Sequence, residues 1–350
     1  MTFRFSRIFI PMFIPDYTEL KILLSIPKRI VIIPHRNPDG DAIGSTLALW
    51  HYLTQLKHDA WIISPNEAPD FLHWMPGFDS ILNFERKNEE AKLFIESADL
   101  IFTLDFNSLS RVGPSMQGVL EQSSASFVMI DHHQAPDNYA QHTYSDTSIC
   151  ATCQMVYHFI DGLGDLELIN SNMANCLYTG IMTDTGSFKY ATTTATTHRV
   201  IANLIDKGAQ NTSIHRSIYD TNTPSRLHLL GCALKNMEIL PEFKTAIIHL
   251  NQKELDQFEY KKGDTEGLVN YGLSIEGIVF STIFIENTEE KIIKISFRSE
   301  GDFSVNEFAR AHFNGGGHNN AAGGRSEESL ENTIHIFKSL LTSYQSKLTT

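Results

Sequence analysis

Positive charge is in short supply in this chain. Its 28 Lys and Arg stand against 41 Asp and Glu, a net charge of −13 over 350 residues. An acidic surface argues against sliding along duplex nucleic acid, which needs a basic footprint. It leaves a small anionic substrate open, because bound metal ions reverse the local sign. Long apolar runs are scarce too. The richest, Met1 to Pro15, is interrupted by Arg4 and Arg7 and broken at Pro11 and Pro15. It is too short for a membrane span, and no small-residue cleavage site follows it cleanly, as a signal peptide requires. Met12 offers an alternative start. No other run could cross a bilayer, so a cytoplasmic protein with no membrane partner is expected. Cysteine is also rare: Cys150, Cys153, Cys176 and Cys232. No second close pair accompanies Cys150 and Cys153, which sit in an apolar, helix-like stretch from Ile149 to Ile160. Burial is the better reading than zinc or redox work. Nothing suggests a disulfide scaffold, so a reducing compartment is expected.

The length suits two domains, and 42% hydrophobic with 20% charged residues is a globular composition. The richest stretch is His35-Arg36-Asn37-Pro38-Asp39-Gly40-Asp41. The apolar run Ile30 to Ile33 leads into it, and a small-residue helical pattern follows from Ala42. A buried strand ends, the chain turns at Pro38 and Gly40, and a helix runs from about Ile43 to Leu56. Imidazole with carboxylate oxygen suits Mn(II), Fe(II), Co(II) or Zn(II) better than Ca(II). Asp39 and Asp41 point to opposite sides if locally extended, which could serve two metals. The plain alternative is a polar turn with an N-capping Asp.

Two more buried runs repeat the pattern. Asp99 to Leu104 delivers Asp105, and Ser126 to Ile130 delivers Asp131, His132 and His133. With a further strand at Asp59 to Ser64 and helical patterns between, the chain reads as α/β with a doubly wound, mainly parallel sheet. Carboxylates buried together without compensation cost several kcal/mol each, and divalent cations are one way to hold them. A helix from Asn172 to Ile181 leads to Asp184, with Gly186 permitting a tight turn. Five threonines between Thr192 and Thr197 read as N-capping more than as phosphate donors.

From Pro241 the texture changes. Thr245 to Leu250 is a strand, Val279 to Ile285 and Lys291 to Phe297 are an antiparallel pair, and Arg298 closes the second. Asn314-Gly315-Gly316-Gly317-His318-Asn319-Asn320-Ala321-Ala322-Gly323-Gly324 then precedes a terminal helix. It is neither a Walker loop nor a dinucleotide fingerprint. Its small residues expose backbone N–H groups that could form an anion nest or let a substrate approach. Arg298 adds a bidentate phosphate donor, and His318 could bind phosphate or stack on a base. The alternative is a flexible loop.

His35-x-x-x-Asp39-x-Asp41, Asp105, Asp131-His132-His133 and Asp184 resemble, in order, the four motifs of the DHH phosphoesterase superfamily. Gly315 to His318, with Arg298 before them, resemble the DHH-associated C-terminal domain. The resemblance covers about residues 28 to 340, is closest to the bacterial nanoRNase/pAp phosphatase branch, and departs only at the N-terminal extension and at Asn319-Asn320. It implies an extension and leading helix over 1–27, a metal-binding catalytic domain over 28–208, a helical linker over 209–240, and a smaller substrate-binding α/β domain with a mixed sheet over 241–350, with a cleft between the domains. It implies two Mn(II) ions, with Mg(II) or Co(II) as substitutes. His35, Asp39 and Asp105 would hold one ion. Asp41, Asp105, His132 and Asp184 would hold the other, with Asp105 bridging. A water acidified by the metals would attack phosphorus, His133 would face the scissile phosphate, and Asp131 would orient a histidine. Arg298, Gly315, Gly316, Gly317 and His318 would hold the rest of the substrate. The expected activity is hydrolysis of very short single-stranded RNA to mononucleotides and removal of the 3′-phosphate of 3′-phosphoadenosine 5′-phosphate (pAp). Alternatives are a pApA or cyclic-dinucleotide phosphodiesterase, a RecJ-type single-strand exonuclease, an inorganic pyrophosphatase, and a nucleotide sensor on a retired enzyme. The last would predict a lost ligand, and none is lost. A homodimer is compatible with all of these.

Overall fold

The computed structural model describes residues 16–349; the apolar N-terminal stretch and the alternative start at Met12 lie outside the described residues. The chain divides into two compact units, one ending at Thr221 and the other beginning at Asn222.

The first unit is built on strands β1 (Arg29–Pro34), β2 (Asp59–Ser64), β3 (Ile81–Asn83), β4 (Leu100–Leu104), β5 (Ser126–Asp131) and β6 (His142–Ser145). They lie in the order β3-β2-β1-β4-β5-β6, and every neighbouring pair is parallel. The helices are α1 (Tyr17–Leu23), α2 (Gly40–Gln55), α3 (Asn88–Ser97), α4 (Pro114–Leu120), α5 (Thr152–Gly162), α6 (Ser171–Asp184), α7 (Ala195–Asp206) and α8 (Asn211–Tyr219). A sheet covered on both faces needs strands apolar at every position, and this explains the unbroken runs. Ile30 and Ile32 enter the core packed by α2, α5 and α6. Val31 and Ile33 point the other way, into the core packed by α3 and α4. The strand order reverses between β1 and β4, the place where open α/β sheets form sites.

Strands β1, β2, β4 and β5 lie where the sequence predicts them. The sequence does not announce β3, β6 or α4: β3 has three residues, and β6 is His-Thr-Tyr-Ser on a sheet edge with no apolar run. Helix α2 begins at Gly40, three residues before the expected start. Helix α6 runs on through Asp184, which therefore sits in its last turn rather than beyond it. Gly186 has φ of +56°, as the turn requires. The threonine run does cap a helix: Thr194 and Thr197 form a reciprocal capping box at α7.

The second unit carries a mixed sheet of β7 (Glu238–Leu240), β8 (Thr245–Leu250), β9 (Phe280–Asn287), β10 (Ile292–Ser299), β11 (Gly316–Gly317) and β12 (Ala321–Ser326), ordered β11-β12-β10-β9-β8-β7. Only β8 and β9 pair in parallel. Its helices are α9 (Pro224–Lys235), α10 (Gln252–Gln257), α11 (Asn270–Leu273), α12 (Val305–His312) and α13 (Leu330–Thr349). A phenylalanine cluster of Phe280, Phe284, Phe297, Phe308 and Phe337 fills one side of the sheet. Leu229, Ile248 and Ile283 belong to a separate core. Among the described residues, no helix is long and apolar enough to cross a membrane.

Candidate metal centre

The eight residues of the first unit expected to bind metal or act in catalysis come together at the carboxyl ends of three adjacent strands. His35 follows β1, Asp105 follows β4, and Asp131 ends β5 with His132 and His133 next. Asp39 caps α2, its Oδ1 accepting from the amides of Asp41 and Ala42 at 3.0 Å each. Capping and metal-site geometry therefore coexist at Asp39. Asp41 lies in the first turn of α2, and Asp184 comes in from the last turn of α6.

Asp105 is central. It is 2% exposed and has φ of +65°, a left-handed conformation that Asp tolerates better than bulkier residues. Its Oδ2 lies 3.4 Å from His35 Nε2, and its Oδ1 lies 3.4 Å from His132 Nε2 and 3.7 Å from His133 Nδ1. Around it, His35 Nε2 is also 3.9 Å from Asp39 Oδ2. His132 Nε2 is 3.5 Å from Asp184 Oδ2 and 3.9 Å from Asp41 Oδ2. Among the described residues of this unit three three-donor groups result, His35/Asp39/Asp105, Asp41/His132/Asp184 and Asp105/Asp131/His133, each with its donor atoms within 4.8 Å of one another.

The tautomers show what these groups suit. His35 Nδ1 lies 2.9 Å from Arg36 O, and His132 Nδ1 lies 3.2 Å from Ile149 O. A carbonyl only accepts, so each Nδ1 carries a proton and donates. Each Nε2 then faces carboxylate oxygens, and only a second proton or a cation makes that arrangement favourable. A histidine that donates through one nitrogen to a backbone carbonyl and turns the other to carboxylates is set up as a metal ligand. The protonation balance agrees. Burial would lower His35, but its hydrogen bond to Asp105 and the charge of Asp39 outweigh this and push it up to about 9. Burial and the neighbouring His132 likewise oppose each other at Asp184, and the net is a carboxyl pushed up to about 7. Burial, with Asp105 and Asp184 nearby, raises Asp41 well above the carboxylate range. Burial would raise Asp105 too, yet hydrogen bonds from His132 and His35 hold it well below that range. Oxygen and imidazole donors in this ratio fit hard or borderline divalent cations.

His133 is held separately. Its Nδ1 donates to Asp131 Oδ1 at 2.7 Å, and its amide donates to Asp131 Oδ2 at 3.1 Å. Sequence reasoning missed Thr152, whose hydroxyl donates to Asp105 Oδ1 at 3.0 Å. A threonine at a helix start carries no distinguishing signal. Cys150, Cys153 and Cys176 are buried and unbridged, and burial pushes the Cys150 thiol up to about 12, so they are inert packing groups.

In the second unit, Arg298 pairs with Ala321 in the β10–β12 ladder, beside the turn that carries His318. The glycine-rich stretch is a tight hairpin of β11 and β12, not an open loop. The amides of Gly315, Gly317 and His318 donate to Ala309 O, Asn306 Oδ1 and Ala321 O respectively, so these three are not exposed for an anion nest. Glycine is needed for backbone approach instead: a Cβ at Gly315 would collide with Gly323 O.

Residues 29–181 match the DHH family, N-terminal domain, and residues 244–343 match the DHHA1 domain. A Thermus thermophilus protein named bifunctional oligoribonuclease and PAP phosphatase NrnA is 32% identical over 87% of this chain and 86% of its own length. A Bacillus subtilis protein of the same name is 26% identical over 87% of this chain and 92% of its own. The crystal structure of an exopolyphosphatase-related protein from Bacteroides fragilis superposes with a TM-score of 0.92 at 40% identity, covering 95% of this chain and 97% of that one.

Proposed function

The chain belongs to the DHH family, whose members hydrolyse phosphoester bonds, and from that premise we propose that it degrades very short oligoribonucleotides to mononucleotides and removes the 3′-phosphate of pAp. The names of the Thermus and Bacillus relatives support this substrate class. The observation that carries the hydrolytic part of this reading is Asp105, which turns one oxygen to each of two buried histidines.

His35, Asp39 and Asp105 would hold one divalent ion, and Asp41, Asp105, His132 and Asp184 a second, with Mn(II) the proposed metal and Mg(II) or Co(II) as substitutes. When bound, such a pair supplies an acidified water and neutralises charge at phosphorus. The chain's own residues do the rest. Asp131, fully buried, fixes the ring of His133 so that it meets a non-bridging phosphate oxygen and stabilises the charge that develops there. In the second unit, the guanidinium of Arg298 is the proposed fork for a second phosphate. His318 is the proposed contact for the base or phosphate beyond, and Gly315, Gly316 and Gly317 keep the hairpin slim enough for close approach.

The test is a turnover panel in Mn(II) with pAp, RNA dinucleotide to pentanucleotide, pApA and cyclic di-AMP. Phosphate from pAp and mononucleotides from the short RNAs are expected. Activity confined to pApA or cyclic di-AMP would move the protein to dinucleotide turnover and sink this reading. Asp105→Asn keeps the shape and tolerates the left-handed backbone, and turnover should fall more than about hundredfold, about 2.7 kcal/mol of barrier. Retention within about tenfold would sink the shared-ligand role.

A further inference from the structure

The segment entering α5 touches three of the proposed ligands at once. Ile149 O accepts from His132 Nδ1 at 3.2 Å. The amides of Thr152 and Cys153 donate to the two oxygens of Asp41, at 2.6 Å and 2.8 Å. The hydroxyl of Thr152 donates to Asp105 Oδ1 at 3.0 Å. Ala151, the N-cap residue of α5, has no side chain to satisfy the first amides of the helix. Asp41, reaching over from α2, is that cap, and the positive end of the α5 dipole favours its ionised form. Thr152 is therefore bonded to two carboxylates on two other elements, and it is wholly buried.

We infer that Thr152 is a positioning residue that selects which oxygen of Asp105 faces His132. The hydroxyl acts on one oxygen only. Oδ1 is shared by Thr152, His132 and His133, whereas Oδ2 faces His35. Its removal should therefore loosen the Asp41/His132/Asp184 side of the centre and leave the His35/Asp39 side nearly intact. The inference rests on the reading of Asp105 and Asp41 as metal ligands and adds an asymmetry to it.

The experiment is Mn(II) titration of the metal-stripped full chain, read from the electron paramagnetic resonance signal of free Mn(II). Thr152→Val keeps the shape and deletes the donor. Hydrogen bonds to a ligating carboxylate set metal affinity by about ten- to hundredfold, so one of the two affinities should weaken by that factor. The loss should persist in an Asp39→Asn background and vanish in an Asp184→Asn background. Thr152→Ser, which restores the hydroxyl, should recover affinity to within about threefold. Where valine disturbs packing, Thr152→Ala against Thr152→Ser gives the same contrast. Unchanged affinities, equal weakening of both, or no rescue by serine in a folded protein would each overturn the inference. Wild-type protein that binds no Mn(II) would instead overturn the ligand reading beneath it, a result distinct from all of these.

Discussion

Two bonds from one side chain decide where His133 points. Asp131 accepts from its ring nitrogen and from its amide, so the imidazole cannot rotate without breaking the shorter bond. Asp131→Asn removes the charge and offers one acceptor instead of two. On the proposed reading, in which Asp131 orients the His133 ring and holds no ion, the turnover number should fall about ten- to hundredfold while bound metal and KM stay near wild type. Steady-state kinetics with metal analysis on one preparation checks this, and loss of metal in the variant would make Asp131 a ligand instead. At this scale much was readable in advance. His35, Asp39, Asp41, Asp105, Asp131, His132, His133 and Asp184 stand after apolar runs or in helix turns, and the fold gathers all eight. Thr152 was not readable, because a hydroxyl at a helix start usually caps its own helix. The left-handed backbone of Asp105 was equally hidden, since an aspartate after a strand is compatible with several conformations.

Between elements, α2 and α6 cross closely enough that two glycines stand at the contact. A Cβ at Gly44 would meet Cys176 O at 2.6 Å and Cys153 Sγ at 2.9 Å. A Cβ at Gly180 would collide with Cys153 Sγ and meet Asp41 Oδ1 at 2.8 Å. Gly180→Ala gains helix propensity, worth up to about 1 kcal/mol, but overpacking the crossing costs about 1–3 kcal/mol. The net expectation is a lower melting temperature together with weakened Mn(II) binding, since the Asp41 carboxylate is displaced along with the Cys153 thiol. Differential scanning fluorimetry with and without Mn(II) checks it, and a variant more stable than wild type with unchanged metal affinity would contradict it. Elements were legible where burial on both faces demanded a continuous apolar run, as in β1, β4 and β5. They were illegible where a neighbour supplied what the local sequence lacked. Strand β6 borrows its order from β5, pairing Val128 to Asp131 with His142 to Ser145. The glycine hairpin folds back along β10 through β12, so a stretch read as exposing its amides for an anion nest is sheet instead.

For the whole chain, the buried carboxylates and imidazoles make stability depend on pH in a direction that a metal should cancel. Without a cation, His35 is held up to about 9 and Asp184 up to about 7. Both bind protons more tightly folded than unfolded, so each stabilises at low pH and loses that contribution as pH rises. For Asp184 the loss runs from about 3.8 to about 7, and for His35 from about 6.5 to about 9. The melting temperature of chelator-treated protein should therefore fall across this range, and saturating Mn(II) should flatten the fall. Parallel curves with and without metal would contradict it. The sheet that carries the centre also acts as a ruler. Pro34 lies opposite Leu104, and Leu104 opposite Ile130, so the next residues along, His35, Asp105 and Asp131, are delivered level with one another. One residue deleted inside β4 would draw Asp105 back by about 3.3 Å and turn the following side chains to the opposite face. A deletion in the five-residue connection between α4 and β5, at the opposite end of the strands, would leave that alignment in place. Length variation is thus tolerable in the connectors on the far edge of the sheet and forbidden within three short strands.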